Sequence, residues 1–172
     1  MTSAPGVPLS QVRAVVVTVS DRSAAGERAD ASGPAARELL LAAGVANVDV
    51  VVVPDGEAPV GEALTTALAG GARLVLTLGG TGVGPRDRTP EATAAVLDLP
   101  MPGVADVVRA RGLAATPMAA LSRGVAGIGG LAHGPGGLVV NLPGSPKAVA
   151  ESLEVLLPLV GHVIDQLGGG DH

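Results

Sequence analysis

At 172 residues, with 11 Lys and Arg against 16 Asp and Glu (formal net charge −5), the chain fits one domain with its own core and lacks the basic face that a general nucleic-acid surface requires. The absence of cysteine excludes disulfides and thiolate metal sites, and the absence of Phe, Tyr and Trp leaves Val, Leu, Ile, Ala and three Met to build the core. A flat ligand must then be gripped by backbone, aliphatic and polar groups.

In chain order, residues 1–12 read as a loose N-terminal arm, since two prolines, glycine and serine fall within the first eleven positions. The Val-rich run Arg13 to Val19 suits a strand covered on both faces. Ser32 to Ala43 is expected to be helical, opened by Ser32-Gly33-Pro34 and closed by Gly44. A second strand is placed at about Asn47 to Val53 and a second helix at Ala58 to Ala69, ending on Gly70-Gly71. Strand three is Arg73 to Leu78. This alternation with short connections predicts a parallel sheet flanked by helices through right-handed crossovers.

Helices are then expected over Thr89 to Leu97 and Gly103 to Ala114, and strands over Arg123 to Ile128 and Leu138 to Leu142 around the glycine-rich turn Gly129 to Gly137. Ser145 to Leu167 closes the chain as a long helix that Pro158 should kink or divide, and 168–172 read as a flexible tail. The fold class is therefore α/β, a three-layer α/β/α sandwich with a mostly parallel central sheet and a small β-hairpin excursion, in a single domain over 13–167.

The stretch Leu74 to Ala92 carries the most chemistry, because a buried strand, a glycine loop, a charged triplet and a helix start follow one another. Gly79, Gly80, Gly82 and Gly84 let backbone N–H groups approach a phosphate, and Arg86 and Arg88 bring positive charge beside Asp87. Thr89 reads as the N-cap of the following helix, with Pro90 first inside it and Glu91 in its first turn.

Ligands of open parallel sheets lie outside the carboxyl ends of the strands. The residues there are polar: Ser20, Asp21 and Arg22 after strand one, Asp55 after strand two, Gly79 to Asp87 after strand three, and Asn141, Pro143, Gly144, Ser145 and Lys147 after the last. Taken singly, Ser20-Asp21 and Asp55-Gly56 read as turn residues; together the four clusters point to a site. Asp55 and Asp87 at one sheet edge would suit a hard divalent cation such as Mg²⁺ carrying nucleotide phosphates, against the alternative that the arginines flanking Asp87 form only surface ion pairs.

No Walker loop, dinucleotide fingerprint or nucleophile elbow occurs, and His133, His162 and His172 lie far apart in ordinary positions. No apolar run approaches the ~20 residues of a membrane span and the first dozen residues lack a signal-peptide shape, so a cytoplasmic protein is expected. The mean hydropathy of +0.48 points to apolar surface covered by subunit contacts.

In order along the chain stand Val19-Ser-Asp-Arg22, Asp30-Ala-Ser-Gly-Pro34, Val53-Pro-Asp55, Gly79-Gly-Thr-Gly82, Arg86-Asp-Arg-Thr-Pro-Glu-Ala92, Met101-Pro-Gly103, Leu121-Ser-Arg-Gly124 and Asn141-Leu-Pro-Gly-Ser-Pro-Lys147. These resemble, over about Arg13 to Leu167, the Mog/MoaB family of molybdenum cofactor biosynthesis, which also resembles the N-terminal domain of gephyrin. The resemblance implies a homotrimer that adenylylates molybdopterin with ATP, releasing pyrophosphate, with a molybdenum insertase as downstream partner.

It further implies that Asp55 and Asp87 are the catalytic and Mg²⁺-holding acids, and that the Gly79, Gly80, Thr81, Gly82 loop cradles phosphates. Ser20, Asp21, Arg22, Arg86, Thr89, Pro90, Glu91, Ser122, Arg123, Asn141, Pro143, Gly144, Ser145 and Lys147 would line the substrate site. Gly56 stands where relatives often carry a second acidic residue, so the pattern offers no helper carboxylate at that position. The alternative from another class is a molybdopterin-binding or trimeric scaffold protein of the same fold without catalysis.

Overall fold

The computed structural model describes residues 6–170. Its centre is a six-stranded sheet in the order β2-β1-β3-β6-β5-β4. The strands are β1 (Arg13–Val19), β2 (Asn47–Val53), β3 (Leu74–Leu78), β4 (Leu97–Pro100), β5 (Ala126–Gly129) and β6 (Gly137–Leu142). β2, β1, β3 and β6 are mutually parallel, whereas β5 runs antiparallel to both β6 and β4. The expected α/β class with a mostly parallel sheet and a β5–β6 hairpin is what is observed.

Strand alternation divides the core into two faces. Ala14, Val16, Leu74, Leu76, Leu78, Leu138, Val140 and Leu142 pack with apolar residues of α2 (Ser32–Ala42), α5 (Pro102–Ala115) and α6 (Pro146–Leu167). Val15, Val17, Val19, Val75 and Val139 face the other way, onto α3 (Glu57–Ala69) and α4 (Thr89–Val96). α2 and α3 must lie on opposite faces, because the chain steps outward from β1 to β2 and then back across β1 to β3 with right-handed crossovers. That reversal opens a crevice between the carboxyl ends of β1 and β3.

Three local expectations change. Leu97–Pro100, expected as a helix end and linker, is the edge strand β4, with an irregularity between Leu97 and Leu99. Prolines at and after its end are tolerated because an edge strand pairs on one side only. The expected strand Arg123 to Ile128 starts only at Ala126, since Arg123 is drawn toward the glycine loop. Pro158 does not divide the last helix: α6 is continuous, with Pro158 exposed and Leu153, Leu156, Val160 and Ile164 holding both halves on the sheet.

Three short elements were not expected, the 3-10 helix Leu9–Gln11, the one-turn helix α1 (Asp21–Ala24) and the 3-10 helix Pro117–Leu121. Of the expected arm, residues 1–5 lie outside the described residues. From Gly6 onward it runs against α6, where the Val7 N–H donates to the Gly161 carbonyl at 3.0 Å, and Val12 is fully buried. In the tail, residues 171–172 lie outside the described residues and Gly168–Gly170 fold back onto the last turn of α6.

Candidate active site

The loop after β3 begins with Gly79 (φ +105°) and Gly80 (φ +66°), backbone conformations that other residues rarely adopt. A Cβ on Gly79 would stand 2.7 Å from the Val19 carbonyl oxygen, so glycine lets the end of β3 close against the end of β1. The loop is closed by Asp87, whose Oδ2 accepts the Gly84 N–H at 2.9 Å, and by the Thr89 N–H, which donates to the Gly80 carbonyl at 3.2 Å.

Arg123 braces this loop from the neighbouring segment. Its backbone N–H donates to the Thr81 carbonyl at 2.9 Å, its Nε to the Gly82 carbonyl at 2.7 Å and its Nη2 to the Asp87 carbonyl at 2.6 Å. Its Nη1 pairs with Glu91 at 2.5 Å, and that hydrogen bond is the main reason the Glu91 carboxyl titrates below its ordinary value. With the carbonyls of Gly80, Thr81 and Gly82 all engaged, the N–H groups of Gly80, Thr81, Gly82 and Val83 have no protein acceptor among the described residues. Backbone donors seldom stay unpaired, and a run of them makes an anion-binding concavity.

α4 opens one residue earlier than the capping expectation required. Arg88 is its N-cap and Thr89 its first residue, with Pro90 second. The Thr89 hydroxyl caps nothing; it is buried against Gly80 without a hydrogen-bond partner. Glu91 does fall in the first turn, as expected.

Across the crevice, the ends of β1 and β2 are tied together. The Asp21 N–H donates to Asp55 Oδ2 at 2.9 Å, and the Asp55 N–H donates to Asp21 Oδ1 at 3.0 Å. Arg86 joins them from the β3 loop, its Nε and Nη2 meeting the two Asp21 oxygens at 2.5 and 2.8 Å and its Nη2 also reaching the Asp55 carbonyl at 2.7 Å. The Arg86 hydrogen bond holds the Asp21 carboxyl below its ordinary value, and the Arg86 guanidinium is raised in return. Ser20 caps α1, accepting the Ser23 N–H at 3.2 Å.

The remaining sequence candidates separate into two groups. Arg22, Pro143, Gly144, Ser145 and Lys147 border the crevice at the ends of β1 and β6, with Ser145 capping α6 and Lys147 83% exposed. Asn141, in contrast, is buried beneath α4: its Nδ2 donates to Thr77 and Thr93 hydroxyls at 2.9 and 2.8 Å and its Oδ1 accepts the Val125 N–H at 3.1 Å. Ser122 accepts the Gly124 N–H in the segment before β5.

One residue at this edge was not singled out as a site residue. Asp30 takes the Thr18 hydroxyl on Oδ2 at 2.8 Å and the Ser32 and Gly33 N–H groups on Oδ1, so it ties the end of β1 to the start of α2. It borders a polar cavity of about 120 Å³ that also touches Ser20, Arg28 and Gly144. An acid two residues ahead of a Ser-Gly-Pro helix start was the available signal. A larger concavity, about 640 Å³, lies elsewhere, between β2 and α3 along Val51, Val53 and Ala63, away from the glycine loop.

The model of the family described as "Probable molybdopterin binding domain" matches residues 15–162, from β1 into α6. The chain belongs to this family. The molybdopterin biosynthesis Mog protein of Mycobacterium ulcerans superposes with a TM-score of 0.83 at 44% identity, over 91% of this chain and 99% of that one. The molybdopterin biosynthesis enzyme MoaB of Thermus thermophilus superposes with a TM-score of 0.78 at 46% identity, over 92% and 98%. Molybdopterin adenylyltransferase of Escherichia coli K12 is 36% identical over 91% of this chain and 79% of its own length.

A bifunctional molybdenum cofactor biosynthesis protein of Synechococcus elongatus is 41% identical over 98% of this chain, which spans about half that relative's length. As a Mog/MoaB-type member of the molybdopterin-binding family, the chain carries the crevice, the glycine loop and the paired acids on the framework that its relatives share. Among the described residues no helix is long and apolar enough to cross a membrane.

Proposed function

We propose that the chain is a molybdopterin adenylyltransferase, moving AMP from ATP to the molybdopterin phosphate and releasing pyrophosphate. The observation that carries this reading is the row of four N–H groups at Gly80 to Val83, unpaired among the described residues and lying in the loop after β3 that Asp87 closes. Relatives named as adenylyltransferases, at 36 to 40% identity, support it.

In this reaction an oxygen of the molybdopterin phosphate attacks the α-phosphorus, and the bond from that phosphorus to the bridging oxygen of pyrophosphate breaks. The nucleophile is already an anion, so no side chain has to remove a proton. Rate depends instead on in-line placement and on screening of negative charge. The Gly80 to Val83 N–H groups would hold phosphate oxygens, and Arg22 and Lys147 at the rim would supply the positive charge that a chain of net charge −5 otherwise lacks.

Asp55 and Asp87 fit a hard cation. Each uses Oδ2 in a backbone hydrogen bond and leaves Oδ1 without a partner among the described residues. When bound there, Mg²⁺ would neutralise charge on the nucleotide phosphates. Asp55 and Asp87 then act as positioning carboxylates, while Arg88 forms exposed ion pairs with Glu57 and Glu91, in keeping with the surface-pair alternative.

A homotrimer fits the exposed apolar side chains that the surface carries, among them Leu99 on β4, Val107 and Leu113 on α5 and Met118 and Leu121 on the 3-10 helix Pro117–Leu121. A cytoplasmic setting and transfer of the adenylylated product to a molybdenum insertase complete the proposal. Incubation with molybdopterin, ATP and Mg²⁺ should release pyrophosphate. Tight pterin binding without release from the wild-type protein would move the chain to the binding class.

A further inference from the structure

Asp55 and Asp87 stand at the ends of β2 and the β3 loop, and these strands are not neighbours: β1 lies between them. The segment after β1 therefore stands between the two acids, and Asp21 occupies it. Its carboxylate receives the Asp55 N–H on one side and the Arg86 fork on the other, while its own N–H holds Asp55 Oδ2. Arg86 is covalently next to Asp87 and also reaches the Asp55 carbonyl.

We propose that Asp21 and Arg86 are positioning residues, a brace that sets the separation of Asp55 from Asp87, and that Arg86 is not a receptor for substrate phosphate. The proposal rests on the adenylyltransferase reading for its kinetic part and on the hydrogen-bond geometry for the rest. Three observations favour it. Asp21 already neutralises the Arg86 guanidinium, so an approaching phosphate meets little net charge there. The contact is a two-pronged fork onto one carboxylate, a geometry that fixes orientation as well as distance. The pair is exposed, with side chains 61% and 43% accessible, so it contributes little to stability and its use lies in alignment.

The test compares Arg86→Lys, Arg86→Gln and Asp21→Asn in the full chain. A brace predicts that all three lower kcat roughly 10- to 100-fold, with KM for ATP and molybdopterin within about twofold and little change in melting temperature, because a lysine cannot reproduce the fork. A phosphate receptor predicts the opposite pattern: Arg86→Lys close to wild type, Arg86→Gln with a raised KM, and Asp21→Asn with a lowered KM because the guanidinium is released. That pattern would overturn the proposal.

A second readout does not need turnover. In amide NMR spectra Asp21→Asn should move the Asp55 and Asp87 resonances together, and Asp87 unmoved would also overturn the brace. If the wild-type protein releases no pyrophosphate, the adenylyltransferase reading fails while the NMR comparison still decides whether the two acids are coupled.

Discussion

Asp21 and Asp55 hold each other by a reciprocal pair of backbone-to-carboxylate hydrogen bonds, 2.9 and 3.0 Å, although 34 residues separate them. Because β1 and β2 are parallel and in register to Val19 opposite Val53, both chains leave the sheet at one edge, and each carboxylate meets the other's first free N–H. The glycine loop beside them inherits its shape from Arg123 in the same way, by side-chain bonds onto backbone groups far away in sequence.

Asp87→Ala removes the carboxylate that closes the glycine loop through the Gly84 N–H. Turnover should fall by about two orders of magnitude, since a small misplacement of the phosphate loop has that effect, while the fold persists. Pyrophosphate release set beside the far-ultraviolet circular dichroism of the same sample checks both halves. Undiminished release would remove Asp87 from the mechanism.

Gly80→Ala forces an L-residue into φ +66° and directs its Cβ at the buried Thr89 hydroxyl. A loss of about 1–3 kcal/mol is expected. Thermal unfolding should register it as roughly 2–4 °C of midpoint for each kcal/mol. Nucleotide affinity should drop as well, because the N–H run starts at this residue.

Asn141→Ala separates a packing role from a ligand role. It leaves the Val125 N–H and the Thr77 and Thr93 hydroxyls without their shared partner beneath α4. Denaturant unfolding should show a loss of about 2–4 kcal/mol. At temperatures where the variant remains folded, KM for ATP should stay close to wild type; a large rise in KM would return Asn141 to the substrate site.

The acid limb of stability should carry the signatures of Asp21 and Glu91. Both carboxyls titrate below their ordinary values of 3.8 and 4.5, because Arg86 and Arg123 respectively donate to them. A depressed folded pKa contributes stability that is present above the unfolded value and lost as pH falls through the folded one. Glu91→Gln should therefore melt measurably below wild type near neutral pH and Asp21→Asn only slightly below it, since its ion pair is exposed, and both gaps should close as pH falls below about 4. The gap should be wider for Glu91, whose side chain is 29% accessible, than for the more exposed Asp21, and added salt should narrow the latter first.

What the sequence by itself determined is local and periodic. Apolar runs covered on both faces marked β1 and β3, glycine stops marked the helix ends, and the glycine loop followed by Arg-Asp-Arg marked the crevice, because burial, turn geometry and phosphate approach each leave a short-range pattern. Tertiary structure alone decided the pairings. Leu97–Pro100 became a strand only because the glycine-rich β5 came alongside, and Asn141 and Arg123 became braces because α4 and the glycine loop lie over them. Arg86 found Asp21 across 65 residues of chain. No spacing rule encodes such contacts, since they depend on the order in which the strands assemble and on which loops that order brings to the same edge.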